Sequence, residues 1–212
     1  MLHAVDRLTG RPAAGQPPIR VAVLDDHAAI RAGLKAILGS APDMLPVGSA
    51  RSEAELYRLL QDTDPAVLIL DVHHPGLHGL ALSLRLKRRS ARPRIVLHSG
   101  RGGELLTVAA AVAGVDAVVA KSDTERALLD AIRAAARGAH APPAVSLRAQ
   151  ARAAARLEPT DRAILAMRLA GNSWTEIGVT LRLPAAAVVE RAAGIVMELT
   201  SVSTSAQSTT AA

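Results

Sequence analysis

The sequence predicts an α/β fold, a doubly wound five-stranded parallel sheet, followed by a small all-α unit. Three observations carry that prediction. Short aliphatic runs bounded by turn residues alternate with stretches of helical periodicity from Ile19 to about Gly138, as in strands whose two faces are covered by crossover helices. Two of those runs, Ile19–Leu24 and Val67 to Leu70, end directly in carboxylates, Asp25-Asp26 and Asp71. Beyond Leu157 the strand-like runs stop and three short helical patterns follow.

Taken in order, the first strand is followed by a helix from about Ala28 to Leu38, with Ile30, Leu34, Ile37 and Leu38 at helical spacing. Gly39, Ser40 and Pro42 are expected to stop it. Leu45 to Ala50 reads as a strand. Ser52 with Glu55 three residues on forms a helix start, and that helix runs to about Gln61. The third strand ends at Asp71 before a Pro75-Gly76 turn. A helix over Gly79 to Arg89, a strand over Arg94 to Ser99 and a helix over Leu105 to Ala113 come next. A strand from Ala117 to Ala120 then leads into Lys121. Ser122 or Asp123 is expected to cap the next helix, with Gly138 past its end.

Residues 1–18, with Gly10, Pro12, Gly15, Pro17 and Pro18, read as a disordered leader. The α/β unit is assigned to residues 19–138. Residues 139–156 hold Pro142-Pro143, many alanines, Arg148, Arg152 and Arg156 but no acid, and read as a linker with an extended Pro-Pro start and an Ala/Arg run that could be helical. Fully stretched, that linker spans at most about 60 Å. Residues 157–199 form the helical unit: a helix through Ile164, Leu165 and Leu169 ended by Gly171, a second from Ser173 to Leu181, and a third opened by Pro184. Two short helices before a longer third make a helix-turn-helix arrangement. Residues 200–212, Ser, Thr and Ala without charge, read as a disordered tail.

Composition narrows the class. The chain has 212 residues, no cysteine, no phenylalanine and a formal net charge of +6. Its core must therefore be aliphatic, and neither disulfide nor thiolate chemistry is open to it, which fits a cytoplasmic protein. No apolar run is long enough for a membrane span, and Met1 to Pro18 lacks the apolar stretch of a signal peptide. The positive balance invites a polyanion.

In an open parallel sheet, ligands collect beyond the carboxyl ends of the strands. Asp25, Asp26 and Asp71 are delivered there together, and three carboxylates in one crevice stay ionised only beside a cation. Oxygen-only ligands favour Mg²⁺, and an Asp in such a site is a competent nucleophile toward phosphorus, giving an acyl phosphate. Two further strand ends bring Ser99, a hydroxyl for a phosphoryl oxygen, and Lys121, an ammonium for its charge. Singly, each residue is equally a helix cap or a surface group; the ordered set is what points to chemistry.

That set resembles the receiver of a two-component response regulator of the NarL/FixJ kind, which carries a LuxR-type helix-turn-helix, over about Ile19 to Leu199. Val23-Leu24-Asp25-Asp26-His27 is similar to the acidic-pair motif, and Leu70-Asp71-Val72-His73-His74-Pro75-Gly76 to the phospho-acceptor motif. The resemblance implies a flavodoxin-like receiver in which Asp25, Asp26, Asp71 and the main-chain carbonyl of His73 hold Mg²⁺. It implies that Asp71 accepts phosphate from a sensor histidine kinase, with Ser99 and Lys121 moving to meet the new charge. A protein of this kind is not an enzyme in its own right, forms a homodimer on activation, and regulates transcription through DNA. Departures from the pattern lie at His74 and His78, which replace the usual Met and Asp, and at Val118, where the family has an aromatic switch residue. His27, His73, His74, His78 and His98 crowd the same strand ends, either as a second, Zn²⁺-like or pH-tuned site or as loop residues of no special role.

Leu157-Glu158-Pro159-Thr160-Asp161-Arg162 resembles the opening of the LuxR-type motif, and Gly171, Glu176-Ile177 and Leu181 match positions further on. The DNA-facing chemistry is sparse. Between Leu157 and Leu199 stand four arginines against five acids, and Arg182 and Arg191 are the candidate DNA contacts. The positive charge instead runs through Arg85, Lys87, Arg88, Arg89, Arg92, Arg94 and Arg101, a solvated helix end or a docking face for an acidic partner or DNA. The expected function is thus a phosphorylation-controlled transcription regulator. The alternative is a regulator whose helix-turn-helix binds DNA weakly or not at all and acts through protein contacts. A dehalogenase-type phosphatase needs a second Asp at position 73, which is His.

Overall fold

The structure, a computed structural model, describes residues 17–72, 79–90, 92–100, 102–138 and 144–201. The expectations for His73, His74, His78 and Arg101, and for most of the leader and tail, fall outside them. Five strands, β1 (Ile19–Leu24), β2 (Met44–Ala50), β3 (Val67–Asp71), β4 (Arg94–Ser99) and β5 (Ala117–Ala120), form one sheet in the order β2-β1-β3-β4-β5. Every pairing is parallel. This is the flavodoxin-like doubly wound order, whose ligand crevice lies where the chain reverses direction across the sheet, between β1 and β3. Leu24 pairs with Leu70 there, so Asp25 and Asp71 leave the sheet side by side.

The crossover helices are α1 (Ala28–Ser40), α2 (Glu53–Thr63), α3 (Gly79–Arg89), α4 (Glu104–Val112) and α5 (Glu125–Ala136). Two starts and stops differ from the sequence expectation. α1 runs on through Gly39 and Ser40, because the Ser40 hydroxyl donates to the Ile37 carbonyl and keeps the last turn bonded. Thr124, not Ser122 or Asp123, caps α5 by accepting from the Ala127 N–H. Asp123 instead closes the turn before it, accepting from the Ala120 N–H at 2.9 Å.

On one face of the sheet, Val21, Val23, Val67, Ile69, Val96 and Val119 pack against Leu34, Leu38, Leu128 and Ile132 of α1 and α5. The other face is covered by α2, α3 and α4, and its core does not end there. It continues through α4 into four further helices: α6 (Leu147–Ala154), α7 (Pro159–Leu169), α8 (Trp174–Leu181) and α9 (Ala185–Ser201). All of Val108 to Val112 in α4 is buried, since the sheet covers one side and the small residues of the other let α6 and α9 approach. Ala149 and Ala153 of α6 sit against it, and α9 packs on both α3 and α4. Within the stretch assigned as a linker, residues 147–154 form a helix packed on α4.

Within the helical unit, Ser173 and Glu176 form a reciprocal capping box at the start of α8. Gly178 permits the tight α8–α9 turn: a Cβ there would lie 2.7 Å from the Leu183 carbonyl oxygen.

Candidate functional site

At the carboxyl end of the sheet the side chains converge as their strand positions require. Asp25 is buried and its carboxylate is bonded on both sides. Oδ1 accepts from the His27 N–H at 2.8 Å and Oδ2 from Lys121 Nζ at 2.7 Å. The same ammonium lies 3.2 Å from Asp71 Oδ2, so one cation spans two strand ends. Lys121 is held in turn by its main chain, whose N–H donates to the Ser99 carbonyl at 2.7 Å. Ser99 is itself buried at the end of β4, one residue beyond His98, the register partner of Asp71.

Asp26 completes the group. Its Oδ1 is buried and lacks a hydrogen-bond partner among the described residues, although His27 Nδ1 stands 2.8 Å away. The proximity is real, but the angles do not make a hydrogen bond. Ligand atoms of Asp25, Asp26, His27 and Asp71 all lie within 4.8 Å of one another. An orphaned, buried carboxylate oxygen facing two other carboxylates is the donor set of a hard divalent cation. The acidic pocket of Asp25, Asp26 and Asp71 fits Mg²⁺ on that ground.

The charges are mutually tuned. Burial pushes the Asp25 carboxyl up, but the hydrogen bonds from Lys121 and the His27 N–H outweigh it and hold the group below the usual carboxylate range. Burial lowers Lys121, yet its bond to Asp25 and the charges of Asp71 and Asp25 raise it above an ordinary lysine. Both groups are therefore ionised near neutrality.

Two contributors escaped the sequence reading. Arg31, in the first turn of α1, reaches back and donates to the carbonyls of Asp25 and Asp26 at 2.8 and 2.9 Å, fixing the loop that carries both acids. An arginine six residues beyond the first acid, on the helix that follows the strand, was the available signal. Gly79 opens α3 directly over the end of β3: a Cβ would fall 2.5 Å from the Asp71 carbonyl oxygen. Val118, in place of an aromatic ring, packs against the core on the α4 side.

A family model described as the response regulator receiver domain matches residues 21–133, more than half the chain. The chain belongs to that family. The chain is similar to the nitrate/nitrite response regulator protein NarL of Escherichia coli (strain K12), 33% identical over 125 residues. The match covers 59% of this chain and 58% of NarL, so the chain spans little more than half the length of that relative. A protein-glutamate methylesterase/protein-glutamine glutaminase of Myxococcus xanthus is 41% identical over 105 residues, 49% of this chain and 30% of that protein. Over the longer span, the solved structure of the Salmonella typhimurium RcsB response regulator covers 87% of this chain and 92% of its own, with a TM-score of 0.57 at 24% identity. That likeness shows the fold, receiver and helical unit together.

Outside the pocket, the candidate DNA contacts are placed as follows. Arg191 is drawn to Asp161, Nε to Oδ1 at 2.7 Å. Arg182 is the left-handed residue that ends α8, at φ 56°. In the basic run, Lys87 and Arg94 bind the buried Asp116, Arg85 binds Glu53, and Arg89 lies over the Tyr57 ring. Four of its seven cations are thereby committed within the fold. No helix among the described residues is long and apolar enough to cross a membrane.

Proposed function

We propose that this chain is a cytoplasmic two-component response regulator in which Asp71 accepts a phosphoryl group, in a Mg²⁺-dependent reaction, and so controls a helix-turn-helix that regulates transcription. The observation that supports this most directly is the ammonium of Lys121 between Asp25 and Asp71, beside the orphaned oxygen of Asp26. Asp25, Asp26 and Asp71, with the main-chain carbonyl of His73, would hold the ion. Bound Mg²⁺ offsets the charge of the carboxylates and of the arriving phosphoryl oxygens.

The protein's own groups divide the remaining work. A carboxylate oxygen of Asp71 attacks phosphorus, forming an O–P bond as the bond from phosphorus to the kinase's histidine nitrogen breaks; that nitrogen leaves with the electron pair. Lys121 meets the added negative charge. Ser99 donates its hydroxyl to a phosphoryl oxygen. The sensor histidine kinase is the expected donor, DNA the expected target, and a homodimer the expected active form. Incubation with acetyl phosphate and Mg²⁺ followed by intact-mass measurement tests the chemistry: wild type gains one phosphoryl group and Asp71→Asn gains none. A gain in both, or in neither, removes Asp71 from this role.

A second reading, a regulator with weak or lost DNA binding that acts through protein contacts, draws on the helical unit. Arg191 is neutralised by Asp161, the solvent face of α9 carries Glu190 and Glu198, and the opposite face packs on α3 and α4. A DNA mobility shift that weakens steeply with salt and fails in Arg191→Ala favours the first reading. Absence of any shift at low salt favours the second.

A further inference from the structure

In the C-terminal part of the chain the positive charge does not sit on the helix-turn-helix. From Leu157 to Leu199 four arginines stand against five acids, and α9 gives its Arg191 to Asp161. Residues 144–156 carry three arginines and no acid. Arg148, Arg152 and Arg156 follow one another at intervals of four, so they share one side of α6 and of the turn that ends it. That side faces solvent: all three are exposed, while Ala149 and Ala153 on the other side are buried against α4. Arg152 is paired with Glu104, Nη1 to Oε2 at 2.9 Å. Arg148 and Arg156 have no acidic partner among the described residues. Like charges four apart on a helix repel one another, so the stripe does not serve the stability of α6.

We propose that the exposed arginine face of α6 is a contact for the phosphate backbone of duplex DNA, independent of sequence and separate from any base contact made by α9. The partner follows from charge and shape. At about 1.5 Å per residue the three arginines span about 12 Å. Duplex DNA presents about one charge per 1.7 Å of its axis, roughly seven over that length. Guanidinium groups suit it, because their fork of donors matches phosphate oxygens. A lipid surface is the poorer fit. A helix that lies in a membrane interface buries its apolar face there, and α6 has already placed that face on α4. Leu147 is the one large apolar side chain that α6 exposes. The choice of DNA rests on the first functional reading above, whereas the contact itself does not depend on phosphoryl chemistry at Asp71.

Fluorescence anisotropy of a labelled duplex of arbitrary sequence, titrated with the full chain between about 50 and 200 mM salt, reads this contact. The double variant Arg148→Gln/Arg156→Gln removes two exposed charges and no ion pair or hydrogen bond among the described residues. It should weaken binding by about tenfold or more at the low-salt end and reduce the salt slope by about two, with its melting midpoint unchanged. Lys35→Gln/Arg58→Gln, the same loss of charge at exposed positions of α1 and α2, should leave the slope as it is. Equal weakening by both pairs would mark an effect of bulk charge and overturn the proposal. So would an unchanged slope in Arg148→Gln/Arg156→Gln, or no duplex binding by wild type at about 50 mM salt. Binding to vesicles of anionic phospholipid that the α6 pair abolishes, with duplex binding kept, would assign the face to a membrane and overturn it equally. Phosphate uptake by Asp71, read by mass, stands or falls separately.

Discussion

Asp116 accepts from three groups at once: Lys87 Nζ, Arg94 Nη1 and the Ile95 N–H. It ties the end of α3 and the start of β4 to the loop before β5, and it is buried with both cations partly shielded. Asp116→Ala leaves those partners unmatched and should cost about 3–5 kcal/mol in urea unfolding. Gly79→Ala pushes on the Asp71 carbonyl; it should cost about 1–3 kcal/mol and slow phosphorylation by acetyl phosphate, whereas Gly33→Ala, with open space at its Cβ, should do neither. Asp43 supplies a pH dependence away from the pocket. A two-pronged bond from Arg133 holds its carboxyl below the ordinary value of 3.8 despite partial burial. Because the folded value is the lower one, its contribution is complete above pH 3.8 and is lost as pH falls through the folded value. Urea midpoints measured between about pH 4 and pH 2 should therefore fall less steeply in Asp43→Asn than in wild type. Within the pocket, the sequence marked Asp25, Asp26, Asp71, Ser99 and Lys121, because strand ends announce themselves by alternation of apolar runs with polar stops. Arg31, Gly79 and Asp116 act through contacts between segments far apart in the chain or packed at a turn, which no local pattern encodes.

Among the elements, α6 is the one that lies in the stretch assigned as a linker. Eight residues are too few for a helix to persist alone in water, and its buried residues are two small alanines. Two things hold it: Ser146, whose hydroxyl accepts from the Ala149 N–H at 3.1 Å, and the fit of Ala149 and Ala153 against α4. Ser146→Ala should cost about 1 kcal/mol and raise amide exchange through Leu147–Ala154. Ala153→Leu, at a fully buried position, should cost about 1–3 kcal/mol by overpacking. One proline pair and a shift in composition marked a linker with a run that could be helical; that its alanines are a contact surface shows only in the fold. The reverse holds for α2 and α8, whose Ser-x-x-Glu starts are local signals, and both formed where the sequence put them.

At the scale of the whole molecule, one apolar cluster runs from the sheet through α4 into α6, α7, α8 and α9. Arg152 bonded to Glu104 at 2.9 Å, and Arg168, stacked on Trp174 and close to Gly114, add polar contacts along the same seam. Units sharing a core unfold together. Calorimetry should therefore show a single cooperative transition, and Ile195→Ala, buried in the helical unit, should lower its midpoint as a whole by removing about 2–5 kcal/mol; two separable transitions would contradict the shared core.

The sequence by itself determined the strand order of functional groups and the kind of fold. Aliphatic runs that stop at Asp25, Asp71, Ser99 and Lys121 have few ways to be buried, and a parallel sheet with crossover helices gathers their ends at one edge. Only the tertiary structure decided how those groups are charged and paired: Lys121 between two carboxylates, Asp26 with an orphaned oxygen, His98 buried opposite Asp71, Arg191 paired with Asp161. The physical reason is range. Hydrophobic periodicity is written in neighbouring residues, whereas desolvation and ion pairing depend on what lies within a few ångströms in space, from segments the chain brings together only on folding.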